Sequence, residues 1–434
     1  MSDKMLVEQL VEKALQRGAQ DAQASMSVSE STEVSFENNK LKSTQSEQRT
    51  EIQLKVIVDG KAGSSSTTDP GDADGLIARA LEAAQFGSPV TYELPGFQAA
   101  PNVKLHDPAV LGVTRQEMVG MGVDMLETVN EYNPDIMFHA GVNKKVLRYE
   151  FANSRGARFA DDSTNFDVGG WGELVRGTDI FSTGYGVGGR KRQANQAEIA
   201  RRVVENFRLA ENSAAITSGQ YPVIFTPEGC AILLLTLMIG LDGKNAFYGE
   251  SPLSKRLGEK IADERFTLID DPLIDFAARS ARYDGEGVPK QVTPLIENGV
   301  LKNFLYDLDA AGRAGKKSTG SGPGPQISNW VIRPGDVSFE QMVKNTQAGL
   351  MVHSVMGLGQ GNPMNGEFSL NVQEGYKIEN GALVGRVKNV MLSGSVYDVL
   401  QNIIAIGDQP EWVPGYFNSY LPYIQAGGLS VTAK

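Results

Sequence analysis

Apolar residues recur at helical spacing over residues 3–17, where Leu6, Leu10, Val11, Ala14 and Leu15 share a face that ends at Gly18. This predicts an amphipathic helix. Alternation follows, with Ala22, Ala24, Met26 and Val28, then Val34 and Phe36, separated by polar residues. Glu37-Asn38-Asn39-Lys40 predicts a turn, and alternation resumes at Ile52, Leu54, Val56 and Val58. Together these make an antiparallel meander with one wet face. The Ser64–Pro70 cluster predicts a loop leading into a helix over Leu76–Ala84. Residues 87–113, rich in Pro and polar side chains, predict an irregular crossing. A third helix fits Thr114–Glu131, opened by the capping box Thr114-Arg115-Gln116-Glu117. Strands are expected at 135–142 and 145–152, then a turn at Asn153–Gly156, alternation to about Ile180, and a helix over 193–212.

The segment Ser218-Gly219-Gln220-Tyr221-Pro222 marks a boundary between domains of residues 1–218 and 219–434. Beyond it, Thr226-Pro227-Glu228 combines an N-cap hydroxyl, a proline at the first helical position and an acid in the first turn. A helix from about Pro227 to Gly240 would be apolar on nearly every face, which predicts burial on all sides. A loop with Phe247, Tyr248 and Glu250 follows, then a second, amphipathic helix from Ser251-Pro252 and an acidic turn at Asp270-Asp271-Pro272. Strand patterns cover 291–296, 301–307, 327–332, 349–353, 368–372, 376–379 and 384–392, with Glu-Asn-Gly turns at 297–299 and 379–381. The expected fold class is α+β: an N-terminal α/β domain with an antiparallel sheet, and a β-rich C-terminal domain with buried helices.

A length of 434 residues is ample for two cores. The net charge of −11 argues against nucleic acid as a partner, because displacing counterions needs a basic surface. Arg190-Lys191-Arg192, near Arg201-Arg202, reads as a solvated stretch. The longest uncharged apolar run, Cys230–Leu241, is too short to cross a bilayer, so a soluble cytoplasmic protein is expected. The single cysteine, Cys230, cannot form an intramolecular disulfide and reads as a small buried residue.

Candidate chemistry is sparse. The three histidines, His106, His139 and His353, have no ligand type at helical spacing, against the usual pattern of a zinc site. Gly184-Tyr185-Gly186-Val187-Gly188-Gly189 lacks a preceding apolar strand and reads as a loop rather than a phosphate cradle. Ser251 and Lys255 lie four apart, a common pairing. Asp270, Asp271, Asp284 and Glu286 offer oxygen ligands for a divalent ion, but their neighbours make them turn formers.

An ordered series of segments resembles the TldD/PmbA family over nearly the whole chain. It includes Glu250-Ser251-Pro252-Leu253, Leu257-Gly258-Glu259-Lys260-Ile261, Thr267–Pro272 and Asp284-Gly285-Glu286-Gly287-Val288-Pro289. It continues with Ile296–Leu301, Ser318-Thr319-Gly320, Gly359-Gln360-Gly361-Asn362-Pro363, Asn365–Ser369 and Ile378–Gly381. In the N-terminal half, Val58–Gly63 and Asn153–Gly156 are similar too. The resemblance implies a cytoplasmic protein of proteolysis, in a family also described as modulators of DNA gyrase. In its TldD branch an HExxxH helix and a later Cys bind zinc. Here those positions fall on Leu234, Leu235 and Ile239, and the later Cys falls near Tyr416-Phe417. The chain therefore resembles the PmbA (TldE) branch, which implies no catalytic or metal-ligating residue and no cofactor of its own. The zinc would belong to a TldD-like partner in a heterodimer, with an unfolded peptide as substrate and a second copy of this chain as partner when alone. Residues expected to face peptide or partner are Phe247, Tyr248, Glu250, Ser251, Asp284, Glu286, Gln360 and Asn362. A regulator of gyrase or of a toxin–antitoxin component, and a stand-alone hydrolase with another site, are the competing readings.

Overall fold

The computed structural model describes residues 5–433 except 194, 325 and 416. Helix α1 (Leu6–Gln16) precedes strands β1 (Asp21–Glu37), β2 (Lys40–Val58) and β3 (Lys61–Thr67). Helices α2 (Ala73–Gln85), α3 (Pro108–Leu111) and α4 (Arg115–Tyr132) follow, then β4 (Met137–Asn153), β5 (Arg158–Arg176), β6 (Asp179–Gly189) and α5 (Gln196–Leu209). The six strands form one antiparallel sheet in the order β3-β2-β1-β4-β5-β6.

One face of this sheet carries two separate cores. Ala22, Ala24, Ile52, Leu54 and Ala152 pack under α1 and α2. Val34, Phe36, Phe138, Ala140, Val142 and Val168 pack under α4 and α5. The β1–β2 turn places Asn38 and Asn39 at φ 49° and 62°, the left-handed pair that a tight hairpin requires and that Asn tolerates. The capping box of α4 forms as expected, with Glu117 N–H donating to Thr114 Oγ1 at 3.2 Å and Thr114 N–H donating to Glu117 Oε2 at 2.7 Å.

Several expected breaks are absent. The strands 135–142 and 145–152 are one continuous β4, because Asn143, Lys144 and Lys145 keep their ladder pairing to both neighbours. Ser64–Thr67 belongs to β3 rather than a loop, a polar edge strand of the kind that resists edge-to-edge pairing. Gly184–Gly189 ends β6 and is not a loop.

In the C-terminal half, β7 (Gly219–Phe225) leads to α6 (Ala231–Gly240) and α7 (Gly243–Tyr248). β7 pairs with strands Ala348–Met356 and Ile424–Ala433; these connect through Val390–Ser395 and Glu367–Glu379, and the last pairs back to Ala348–Met356. The sheet thus closes on itself. A second sheet of short strands includes Leu268–Asp270, Thr293–Glu297 and Trp330–Ile332. The main core joins both sheets to α6, and each fully buried Leu there contributes about 2 kcal/mol relative to exposure. The fold is α+β in two domains. Among the described residues no helix is long and apolar enough to cross a membrane.

Three expectations here need correction. Residues 227–230 form a turn and α6 begins at Ala231: Thr226 Oγ1 accepts the Gly229 N–H at 3.1 Å, one turn before the helix. No helix starts at Ser251; successive turns replace it, with Ser254, Arg256 and Glu259 N–H donating to the carbonyl three residues back or fewer. The stretches 368–372 and 376–379 are one strand, whereas of 301–307 only Leu301 lies in a strand, the two-residue Val300–Leu301.

Candidate functional site

Helix α6 is apolar except for the buried Thr236, yet it is not buried on every side. Ile232, Leu233, Leu234 and Leu237 lie in the core, whereas Ala231, Leu235, Met238 and Ile239 form a half-buried stripe at helical spacing. A Cβ built on Gly359 would sit 3.8 Å from Leu235 Cδ2, so this stripe faces the loop that carries Gln360. None of Leu234, Leu235 and Ile239 carries a lone pair for a metal, and Leu234 points into the core. Among the described residues there is no group of three or more His, Cys, Asp or Glu placed to hold a metal ion. These residues therefore do not fit a zinc centre. Tyr416, one of the pair aligned with the family's later Cys, lies outside the described residues, and Phe417 is buried.

Asp242 caps α7 by accepting the N–H groups of Lys244 and Asn245, at 2.7 and 3.3 Å, and Asn245 Nδ2 ties α7 back to the Ile239 carbonyl. Gly249, at φ 74°, ends the helix. Phe247 and Tyr248 are left 47% and 51% exposed, in edge-to-face contact at 5.1 Å. Glu250 is exposed beside them. Gln360 and Asn362 are exposed too, and the two-residue strand Gly361–Asn362 forms the edge of its sheet, paired among the described residues to Glu367-Phe368.

Ser251 does not face outward. It is buried, its hydroxyl donating to the Gly240 carbonyl at 2.8 Å and accepting the Leu253 N–H at 3.1 Å, so it fastens the end of α6 to the following turns. Asp284 is also internal: one oxygen accepts the Glu286 and Val288 N–H groups and the other accepts Gly322 N–H. Glu286 is buried at the wall of a 590 Å³ cavity between the N-terminal sheet and the 284–323 region, and accepts Leu308 N–H at 2.8 Å. Burial there pushes its carboxyl up to about 7. Arg190, read as solvated, instead donates to the Ser280 carbonyl at 2.8 Å, and burial pulls its guanidinium down to about 10. Cys230 is buried on the apolar helix start, and burial pushes its thiol well up.

A further constellation has no sequence signature because its members are distant. His353 Nδ1 lies 3.2 Å from Thr226 Oγ1 and 3.7 Å from Glu228 Oε2, and its Nε2 lies 3.9 Å from Glu374 Oε2. Tyr376 donates to the other Glu374 oxygen at 2.9 Å. The order hydroxyl, imidazole, carboxylate resembles a nucleophilic triad, but the Thr226 hydroxyl is buried and engaged by the turn at Gly229. The group lines a cavity of about 310 Å³ between the domains, and the Tyr376 hydroxyl donates across to the Asn206 carbonyl at 3.3 Å.

The model of the PmbA/TldA metallopeptidase C-terminal domain matches residues 218–433, and that of PmbA/TldA metallopeptidase domain 1 matches residues 22–84. The chain belongs to the PmbA/TldD family. Within the family, it is 28% identical over 379 residues to the metalloprotease PmbA of Escherichia coli O157:H7, covering 82% of this chain and 81% of that one. A metalloprotease of Methanocaldococcus jannaschii is 34% identical over 206 residues, 46% of each chain. The crystal structure of TldE from Thermococcus kodakarensis superposes with a TM-score of 0.91 at 23% identity, over 99% of this chain and 100% of that one, which establishes a shared PmbA/TldD fold.

Proposed function

We propose that this chain is a PmbA/TldE-like subunit of a TldD-type metallopeptidase, acting in the cytoplasm on unfolded peptides with a zinc-bearing partner and holding no zinc itself. The observation that carries this reading is the apolar α6, with Leu234, Leu235 and Ile239 at the positions that the resemblance aligns with the family's ligands. Imidazole and carboxylate in so apolar a helix would need a metal to offset their desolvation, whereas leucine and isoleucine need none. With no Lewis acid, the chain activates no water of its own. Its contribution is then to wall and grip. Phe247 and Tyr248 offer exposed aromatic surface, and the free edge at Gly361–Asn362 offers backbone groups to an extended peptide, a sequence-tolerant mode of recognition. Residues 1–218 and 219–434 serve as its two domains.

The test is metal analysis and a peptide-degradation assay on the purified chain, alone and mixed with a TldD homologue. Substoichiometric zinc, no activity alone and activity on mixing are expected. Stoichiometric zinc with activity alone would sink the reading. Failure to form a complex at micromolar concentration would favour a regulatory role of the kind named for a Thermotoga maritima neighbour, a candidate modulator of a DNA gyrase (TM-score 0.89, 24% identity, 98% of this chain and 99% of that one).

A further inference from the structure

A groove of about 1040 Å³ lies between the wet face of the N-terminal sheet and the C-terminal domain. Strand register fixes what its floor carries. Ser43, Ser35, Gly141, Gly169 and Gly186 stand side by side from β2 to β6, leaving a lane almost without side chains. At the spacing of paired strands the lane is ~19 Å long, enough for about five or six extended residues. One wall is the next row on the same face, Gln45, Glu33, Asn143 and Asp167. The other wall is aromatic: His139 and Trp171 stack at 4.1 Å with their planes 2° apart, and Trp171 is 46% exposed. On the next strand Gly184 stands beside Trp171, so no side chain stacks on the indole from that direction. Glu228, Val413 and Pro414 of the C-terminal domain close the groove over its floor.

The lining is net acidic. Glu33, Glu37, Asp167 and Glu228 contribute carboxylates, and Lys42, the lysine among the described lining residues, is paired with Glu37. Burial raises the Asp167 carboxyl, which a cation beside it would counter. An indole face next to carboxylates attracts ammonium and guanidinium groups, and the net charge of −11 attracts cations to the molecule as a whole. The backbone groups of Ser35, Gly141 and Gly169, each between two paired strands, are committed to the ladder, so over the middle of the lane an occupant is held by its side chains.

We propose that this groove binds an extended peptide segment rich in Lys or Arg, its cationic side chains meeting Asp167, Glu33 and Glu228 and one of them lying over the Trp171 indole. The site extends the peptide-gripping role but is measured on this chain alone, so its failure is distinct from failure to activate a zinc-bearing partner.

The experiment is a fluorescence-anisotropy titration of a dye-labelled Lys-Ala-Lys-Ala-Lys peptide into the full-length chain at low ionic strength. Saturable binding is expected, weakened by salt, with none for Glu-Ala-Glu-Ala-Glu. At Gly141 a Cβ would meet nothing within 4 Å, so Gly141→Leu fills the lane without disturbing the sheet. That variant should bind about ten-fold more weakly, equivalent to ~1.4 kcal/mol, with an unchanged thermal melt. Asp167→Asn and Trp171→Ala should each weaken binding several-fold and provide a second line if Gly141→Leu alters folding. Equal affinity for wild type and all three variants would overturn the proposal, as would absence of saturable binding. Spermidine competing as tightly as the peptide would also overturn it, assigning the groove to small polyamines.

Discussion

Glu286 sits where two domains meet, and its chemistry sets a pH dependence. Its ordinary value is near 4.5, and burial raises it to about 7. The folded chain therefore binds this proton more tightly than the unfolded chain, and the group's contribution to stability is fullest below 4.5 and is lost as pH rises through 7. Glu286→Gln keeps an acceptor for Leu308 N–H and removes the charge. At pH 8 it should stabilise the protein, by an amount on the order of 3 kcal/mol at most, and flatten stability between pH 4.5 and 7; denaturant titrations across that range would show it. Sequence made Asp284 legible as a turn former, and its three backbone donors agree. Nothing local could signal the burial of Glu286, which depends on packing against the other domain, where Gln23 Nε2 donates to the Gly285 carbonyl across 262 positions. His353 was illegible for a different reason: its partners, residues 226, 228 and 374, belong to its own domain but are distant along the chain or carry no motif spacing to it.

Elements with local capping and strong periodicity were legible, and those defined by neighbours were not. The capping box of α4 and the Asn-Asn turn are short-range signals, and both form. The second helix expected at Ser251 fails because its hydroxyl is captured by the Gly240 carbonyl, a tertiary bond that holds the segment in turns. α6 was read as uniformly buried because its composition is uniform; only packing distinguishes its half-buried stripe. That stripe yields a prediction. Leu234→Ala should cost about 3 kcal/mol, because its side chain is fully buried. Leu235→Ala should cost less than half as much, since part of its surface is already wet. Equal losses in chemical denaturation would contradict the observed rotation of α6.

Across the whole molecule, the domains are joined by charged side chains reaching from one to the other. Arg386 is almost fully buried, pairs with Asp179 and lies 4.6 Å from the Phe181 ring centroid. Arg282 pairs with Asp161, and Arg202 with Glu411. Because Asp179 also holds Lys388 at 2.7 Å, Arg386→Ala leaves it partnered. The substitution should cost about 2 kcal/mol, below the usual loss for breaking a fully buried pair, and calorimetry should show the transition broadening as the domains unfold less cooperatively. The two-domain α+β arrangement was legible in the sequence pattern, but these cross-domain pairs were not. The N-terminal sheet has a different consequence. β1 and β4 each run through both of its cores, with Ala22, Ala24 and Ala152 at one end and Val34, Phe36, Phe138 and Ala140 at the other. A slip of one residue would turn the apolar set outward at both ends at once. The stretch of β1 between Ala24 and Val34, polar from Ser29 to Glu33, is therefore a ruler: its length and parity matter more than its composition. A single inserted residue there must be expelled as a bulge, whereas a pair would preserve the alternation on which both ends depend.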